Sequence, residues 1–223
     1  MASAPPSPLA SSEEKTNGWK LSRLLIDGGT TVLRDLFDQI HPPRTLRKSL
    51  DSHKTTLEEL LNEGVLYTSQ WETLFPRSGA PPVDSRNFDN SLLFLLLTTI
   101  CGLSRPRSGW HQKPQKKDRS REANLARIKF YRNKIYGHVT TTGIDATTFT
   151  DLWKEISAAL RSLGLQPTDI DRLKEERCGV EDYIALLFKW KESEENIKSQ
   201  LQRIDHAQTN LQKSVDGVRQ TQL

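Results

Sequence analysis

The stretch SLLFLLLTTICGL, Ser91 to Leu103, decides what kind of protein this is. Its thirteen residues form the most apolar run in the chain. A helix that crosses a bilayer needs roughly twenty such residues, so this run is predicted to be a helix buried in a protein core and not a membrane span. Cys101, near its end, has the apolar neighbours typical of a buried thiol. Helical spacing of apolar residues recurs on both sides, and no window shows the sustained alternation of a strand. The expected fold class is all-α, an up-and-down helical bundle.

Toward the N-terminus, YTSQWETLFPRSGAPPVDS is a connection with one helical turn around Trp71, broken by its Pro and Gly residues. Before it, Leu46, Leu50, Leu57, Leu60 and Leu61 line one face of a helix that ends at Gly64. TTVLRDLFDQI reads as a helix capped by Thr30 or Thr31 and stopped by Pro42-Pro43. Trp19 to Ile26 reads as a short helix ended by Gly28-Gly29, and residues 1–16, MASAPPSPLASSEEKT, read as a disordered tail.

Toward the C-terminus, SRPRSGWHQKPQKKDRS is a basic loop, followed by a helix from Arg121 to Tyr136. A further helix, FTDLWKEISAALRSL, is capped by Thr147 or Thr148, closed by Gly164, and fills the core with Leu152, Ile156, Ala159, Leu160 and Leu163. The bundle is thus predicted over residues 17–165, with a helical connector over 166–191. From Ile197 the positions Ile197, Leu201, Ile204, Gln208, Leu211, Val215 and Val218 alternate in steps of four and three. That heptad seam predicts a long C-terminal helix in a coiled coil over 192–223, which could bind protein partners. A solvated helix packed on its own domain is the alternative. A seam running to the last residue also suits a fragment of a larger chain.

Composition narrows the function classes. The chain has 223 residues and 35% hydrophobic content, and its mean hydropathy is −0.61. Two cysteines cannot frame a disulfide scaffold, and the N-terminus has no apolar signal core, so a reducing, cytoplasmic setting is expected. No phosphate-binding glycine loop, HExxH, GxSxG or CxxC occurs. Histidines 41, 53, 111, 138 and 206 are scattered without metal-ligand spacing, so neither metal nor cofactor is expected.

Two features point to a polyanion. The net charge is +4, yet Arg105 to Lys134 holds eleven basic residues against two acidic ones, leaving −5 for the remainder. Lys113, Lys116, Lys117, Arg119 and Arg121 are the candidate RNA contacts, with Trp110 placed to stack on a base. An acidic protein partner, or a merely solvated loop, would fit the same run. The second feature is FYRNKIYGHV, residues 130–139. On a helical wheel centred on Ile128, Arg132 lies about 40° away, inside the apolar arc, and His138 about 80° to the other side. Phe130, Asn133 and Gly137 face away, a pattern that suits a second packed surface such as a dimer contact in the expected homodimer. A histidine can move the proton of a ribose 2′-hydroxyl while an arginine stabilises the phosphorane. The competing reading pairs Arg132 with Asp89 or Glu155 and uses His138 to cap the helix end.

These blocks together carry a family resemblance. GWHQKPQKKDRSREANLARIKFYRNKIYGHV, with FDNSLLFLLLTTICGL before it and FTDLWKEISAALRSLG after it, resembles a HEPN-like domain. The type is the one found in the DAZ-interacting zinc-finger, RNA-binding ubiquitin ligase and in invertebrate multidomain proteins. GTTVLRDLFDQIHPP and QWETLFPRSG agree with it in order and spacing. The resemblance implies a helical bundle that often dimerises, and in many members a metal-independent ribonuclease. The family's Arg-polar…His motif then falls on Arg132, Asn133 and His138 as the implied catalytic set. A RING finger needs about eight Cys/His ligands, which two cysteines cannot supply, so ligase activity is not implied. Two functions follow as expectations: RNA binding with endoribonuclease capacity, or a noncatalytic interaction adaptor built on the bundle and coiled coil.

Overall fold

A computed structural model describes residues 13–110, 112–139 and 144–177, with backbone only over 136–139. The heptad seam, Cys178 and the first twelve residues of the tail lie outside the described residues. Among those described there is no strand, and no helix is long and apolar enough to cross a membrane. The helices are α1 (Glu13–Arg23), α2 (Gly29–Ile40), α3 (Leu46–Ser52), α4 (Lys54–Asn62), α5 (Thr68–Leu74), α6 (Asn90–Thr99), α7 (Arg121–Val139), α8 (Ala146–Ser162) and α9 (Pro167–Glu175).

Two compact units divide the described residues, one drawn from those up to 36 and from 103 onward, the other from 37–102. In the first unit α1, α7 and α8 pack against one another. Their shared core holds Trp19, Leu21, Leu25, Ile128, Tyr131, Ile135, Leu152, Trp153, Ile156 and Leu160, and α9 adds Ile170. In the second unit Leu46, Leu50, Leu57, Leu66 and Leu74 are fully buried. Its α6 buries Leu92, Leu93, Phe94, Leu96 and Leu97 around more than half of the helix, with Leu95 half-buried and Thr99 exposed. Asp89 starts α6 by accepting a hydrogen bond from the Leu92 amide at 2.6 Å. Burial pushes the Cys101 thiol up to about 12, so the thiolate is scarce at neutral pH.

Several boundaries differ from the sequence expectation. The first helix begins at Glu13 and takes in the last residues of the expected tail. Gly28-Gly29 does not end it: a π-helical turn, Leu24–Gly28, leads straight into α2, and Gly29 keeps right-handed helical angles. A Cβ at Gly28 would stand 3.0 Å from Leu165 Cδ2, a close approach that the leucine side chain would have to relieve by shifting slightly. Thr31 therefore caps nothing, and its hydroxyl instead donates to the Asp27 carbonyl within the helix at 2.8 Å. The expected single helix from Leu46 to Leu61 is broken at His53, whose φ of −108° and ψ of 11° separate α3 from α4. The cap of α8 is Asp145, which accepts from the Thr148 amide at 2.9 Å and hydroxyl at 2.6 Å.

Candidate nucleic-acid interface

Helix α7 is unusual in how it distributes charge. Ala123 to Ile128 are all buried, and one of them is Arg127, with only 7% of its surface exposed. A buried guanidinium must be met by acceptors, and three are in place. Arg127 donates to Asn124 Oδ1 at 2.8 Å and to the carbonyls of Gln115 and Asp118, each at 2.6 Å. Asn124 is itself fixed, donating to Ser162 Oγ of α8 at 2.9 Å. The side chain thus ties the basic loop down onto α7.

A second tie lies at Lys113, whose Nζ is 2.8 Å from Glu155 Oε2 of α8 and 5.0 Å from the centre of the Tyr131 ring. The Tyr131 hydroxyl also donates to Glu155. Burial pushes the Glu155 carboxyl up, but the hydrogen bonds from Lys113 and Tyr131 outweigh it and hold the group below its ordinary value. The loop ends by starting α7: Ser120 Oγ accepts from the Ala123 amide at 3.2 Å while donating to Asp118 Oδ1 at 2.7 Å. Gly109, with φ of +77°, lets the Arg105 guanidinium pass 3.0 Å from where a Cβ would stand.

The anchored loop displays the other cations. Arg105, Arg107, Lys116, Lys117, Arg119 and Arg121 are exposed, and Trp110 is half-buried. Lys116 is 88% exposed, with Glu155 at 4.0 Å, a distance at which an ion pair contributes little. Lys113 is committed to Glu155 and Tyr131, so of the expected contacts it is the one built into the fold. Arg107, Ser108, Gln115, Lys117 and Asp118 surround a cavity of about 390 Å³.

Further along α7, Arg132 is half-buried and Asn133 exposed, while Ile128, Tyr131 and Ile135 between and around them are buried. Phe130 packs on the same core from its far side. Lys129 is also half-buried. Burial first, and the neighbouring Arg132 charge second, pull its ammonium down to about 8. His138 lies on the same helix as Arg132 and Asn133, but its side chain and that of His111 lie outside the described residues. Of the carboxylates proposed as partners of Arg132, Asp89 caps α6 and Glu155 holds Lys113 and Tyr131.

Sequence reasoning did not single out Arg127, Lys129 or Arg107 within the basic segment, and it offered Glu155 to Arg132 where the structure gives it to Lys113 and Tyr131. Nothing in residue type separates Arg127 from the other ten basic residues of the segment. Its only sequence signal is the run of small and apolar neighbours, Ala123, Leu125, Ala126 and Ile128, that surrounds it.

Comparison with known proteins shows the family. A family described as DZIP3/hRUL138-like HEPN matches residues 43–183. The chain is 32% identical over 162 residues to a human protein named E3 ubiquitin-protein ligase DZIP3, and equally to its mouse counterpart. That alignment covers 70% of this chain but spans 13% of either relative. No solved structure matches.

Proposed function

This chain belongs to the DZIP3/hRUL138-like HEPN family, and from that premise we propose that it binds single-stranded RNA along the face shared by the basic loop and α7. The observation that carries this reading is the anchoring of the loop. Arg127 and the Lys113–Glu155 pair fix its backbone, while six further cations on or beside it stay exposed. A merely solvated loop needs no buried arginine to hold it. A strand-binding surface gains from one, because prearranged cations lose less entropy when phosphates arrive.

Arg132, Asn133 and His138 supply the cutting chemistry in this reading. Arg132 holds the scissile phosphate, Asn133 orients it, and His138 takes the proton from the 2′-hydroxyl. The freed oxygen bonds to phosphorus, and the bond to the 5′-oxygen breaks. The leaving oxygen then takes a proton from His138 of a second copy, so a homodimer along α7 completes the acid–base pair. The ligase activity in the relatives' names belongs to those proteins.

The test is retention and cleavage of labelled single-stranded RNA in the presence of EDTA. Binding should weaken steeply with salt, with a log–log slope near −0.7 per phosphate contacted. Cleavage should disappear in His138→Ala while retention persists. No retention at low salt would overturn the binding reading. Cleavage that survives His138→Ala would overturn the assigned chemistry and leave the binding intact. Loss of a protein complex on Lys116 and Lys117 substitution, with RNA retention unchanged, would favour an adaptor.

A further inference from the structure

The cavity beside the loop has a composition that phosphate contact alone does not explain. Two of its lining groups, Arg107 and Lys117, are exposed cations, and among the described residues neither closes an ion pair. The third charged group is Asp118, a carboxylate that would repel a bare phosphate. Its Oδ1 accepts both the Ser120 amide at 3.1 Å and the Ser120 hydroxyl at 2.7 Å. Its Oδ2 takes no hydrogen bond from any described residue, which leaves one strong acceptor available. The Ser120 bonds, then the Arg127 and Arg107 charges, hold the carboxyl below its ordinary value against its desolvation, so it accepts and does not donate at neutral pH.

A cavity lined by two cations and by acceptors of which the Asp118 carboxylate is the charged one calls for a ligand carrying an anion next to a donor. Ribose offers that combination, since its 2′-hydroxyl lies beside the 3′-phosphate, and the 2′-hydroxyl is the group by which proteins tell RNA from DNA. The volume of about 390 Å³ lies within the usual range for small-ligand sites, roughly 300–1,000 Å³. The floor is prearranged as well, because Arg127 holds the carbonyls of Gln115 and Asp118 from below.

Resting on the RNA reading above, we propose that this cavity holds one ribonucleotide unit of a bound strand, with its phosphate on Arg107 and Lys117 and its 2′-hydroxyl donating to Asp118 Oδ2. The domain thereby selects RNA over DNA. Asp118 is a specificity-determining residue here, separate from Arg132, Asn133 and His138.

The experiment measures fluorescence anisotropy of the full chain with a labelled oligouridylate, its 2′-deoxy counterpart and its 2′-O-methyl counterpart, at one fixed low salt concentration. The wild type should bind the ribo-oligonucleotide about ten-fold more tightly than either analogue, the worth of one hydrogen bond to a charged acceptor. Asp118→Asn keeps an oxygen for Ser120 but replaces the open acceptor with a donor. It should raise affinity for all three polyanions and bring their ratio to near one. Arg107→Ala with Lys117→Ala should weaken ribo- and deoxy-oligonucleotides in parallel. Equal wild-type binding of the three probes would overturn the 2′-hydroxyl contact and leave RNA binding standing. So would a preference that Asp118→Asn does not change. No binding to any of them would overturn the RNA reading and this one with it.

Discussion

Replacing Arg127 with Met tests whether the basic loop is held from beneath. Met matches the length of the arginine stem but makes none of its three hydrogen bonds, at 2.8, 2.6 and 2.6 Å. A hydrogen bond to a charged group contributes about 1.5–3 kcal/mol, so the gross loss is larger than the net one. The carbonyls of Gln115 and Asp118 belong to a loop flanked by exposed residues and can turn to water. Asn124, at 3% exposure, cannot, and its Oδ1 is left without its donor. Removing the buried charge also returns the desolvation cost of the guanidinium. The balance is a loss of about 2–3 kcal/mol. Denaturation in urea followed by circular dichroism reads this change, and limited trypsin digestion reads the release of the 104–120 segment. A loss below about 1 kcal/mol with unchanged digestion would mean that the loop holds itself, and the prearranged surface would have to be abandoned.

Three other outcomes follow from the same unit. Lys129 has a folded-state value near 8, below the 10.5 of the free side chain, so the folded state bears the full cost of charging it below pH 8 and is relieved as pH climbs toward 10.5. Lys129→Met should therefore stabilise the protein at pH 7 by up to about 3 kcal/mol, with the advantage shrinking between pH 8 and 10.5; an advantage constant across that range would refute the assignment. The hydrogen bonds from Thr148 hold the Asp145 carboxyl below its ordinary value, so its contribution is present above the free carboxyl's titration and lost in acid. Asp145→Ala should lower the melting temperature at neutral pH, and the difference from wild type should vanish as pH falls; a gap that persists in acid would refute this. Tyr131→Phe keeps the buried ring and deletes the hydroxyl's bonds with Glu155 and Lys113, so it should cost about 1–2 kcal/mol by thermal denaturation, whereas a cost above about 3 would show that the ring had moved.

The sequence showed most clearly those elements whose signal is apolar. The run Leu92–Leu97 is buried at every position but Leu95, and the spacing of Leu152, Ile156 and Leu160 matches the buried face of α8. Boundaries were harder to read where a residue type allows two outcomes. Glycine permits a helix to stop but does not require it, and Gly29 keeps right-handed helical angles that carry the chain on into α2. Asp145 and Thr148 are both good caps, and the carboxylate takes the cap while the threonine donates to it. In the candidate site, the charge segregation was visible but the division of labour was not. Arg127 works through main-chain carbonyls of Gln115 and Asp118, and carbonyls carry no residue-type signature. Lys113 is claimed by Glu155, forty-two positions away in sequence, a pairing that no local pattern announces.

The π-helical turn at Leu24–Gly28 gives the chain one residue of slack between two helices that share a core. Such a turn holds one residue more than the α-helix it interrupts, and each residue of an α-helix advances the direction of its side chains by about 100°. Leu21 and Leu25 before or within the turn, and Val32 after it, all reach one core. The wider winding of the turn takes up that extra residue, so deleting one residue between positions 24 and 28 would restore regular α-helical winding and still leave Val32 facing the same core. A deletion in the regular helix on either side has no such slack and would swing the following side chains by about 100°. One-residue deletions within the turn should therefore cost less stability than one-residue deletions in α1 or α2, which thermal denaturation of the two kinds of variant would show.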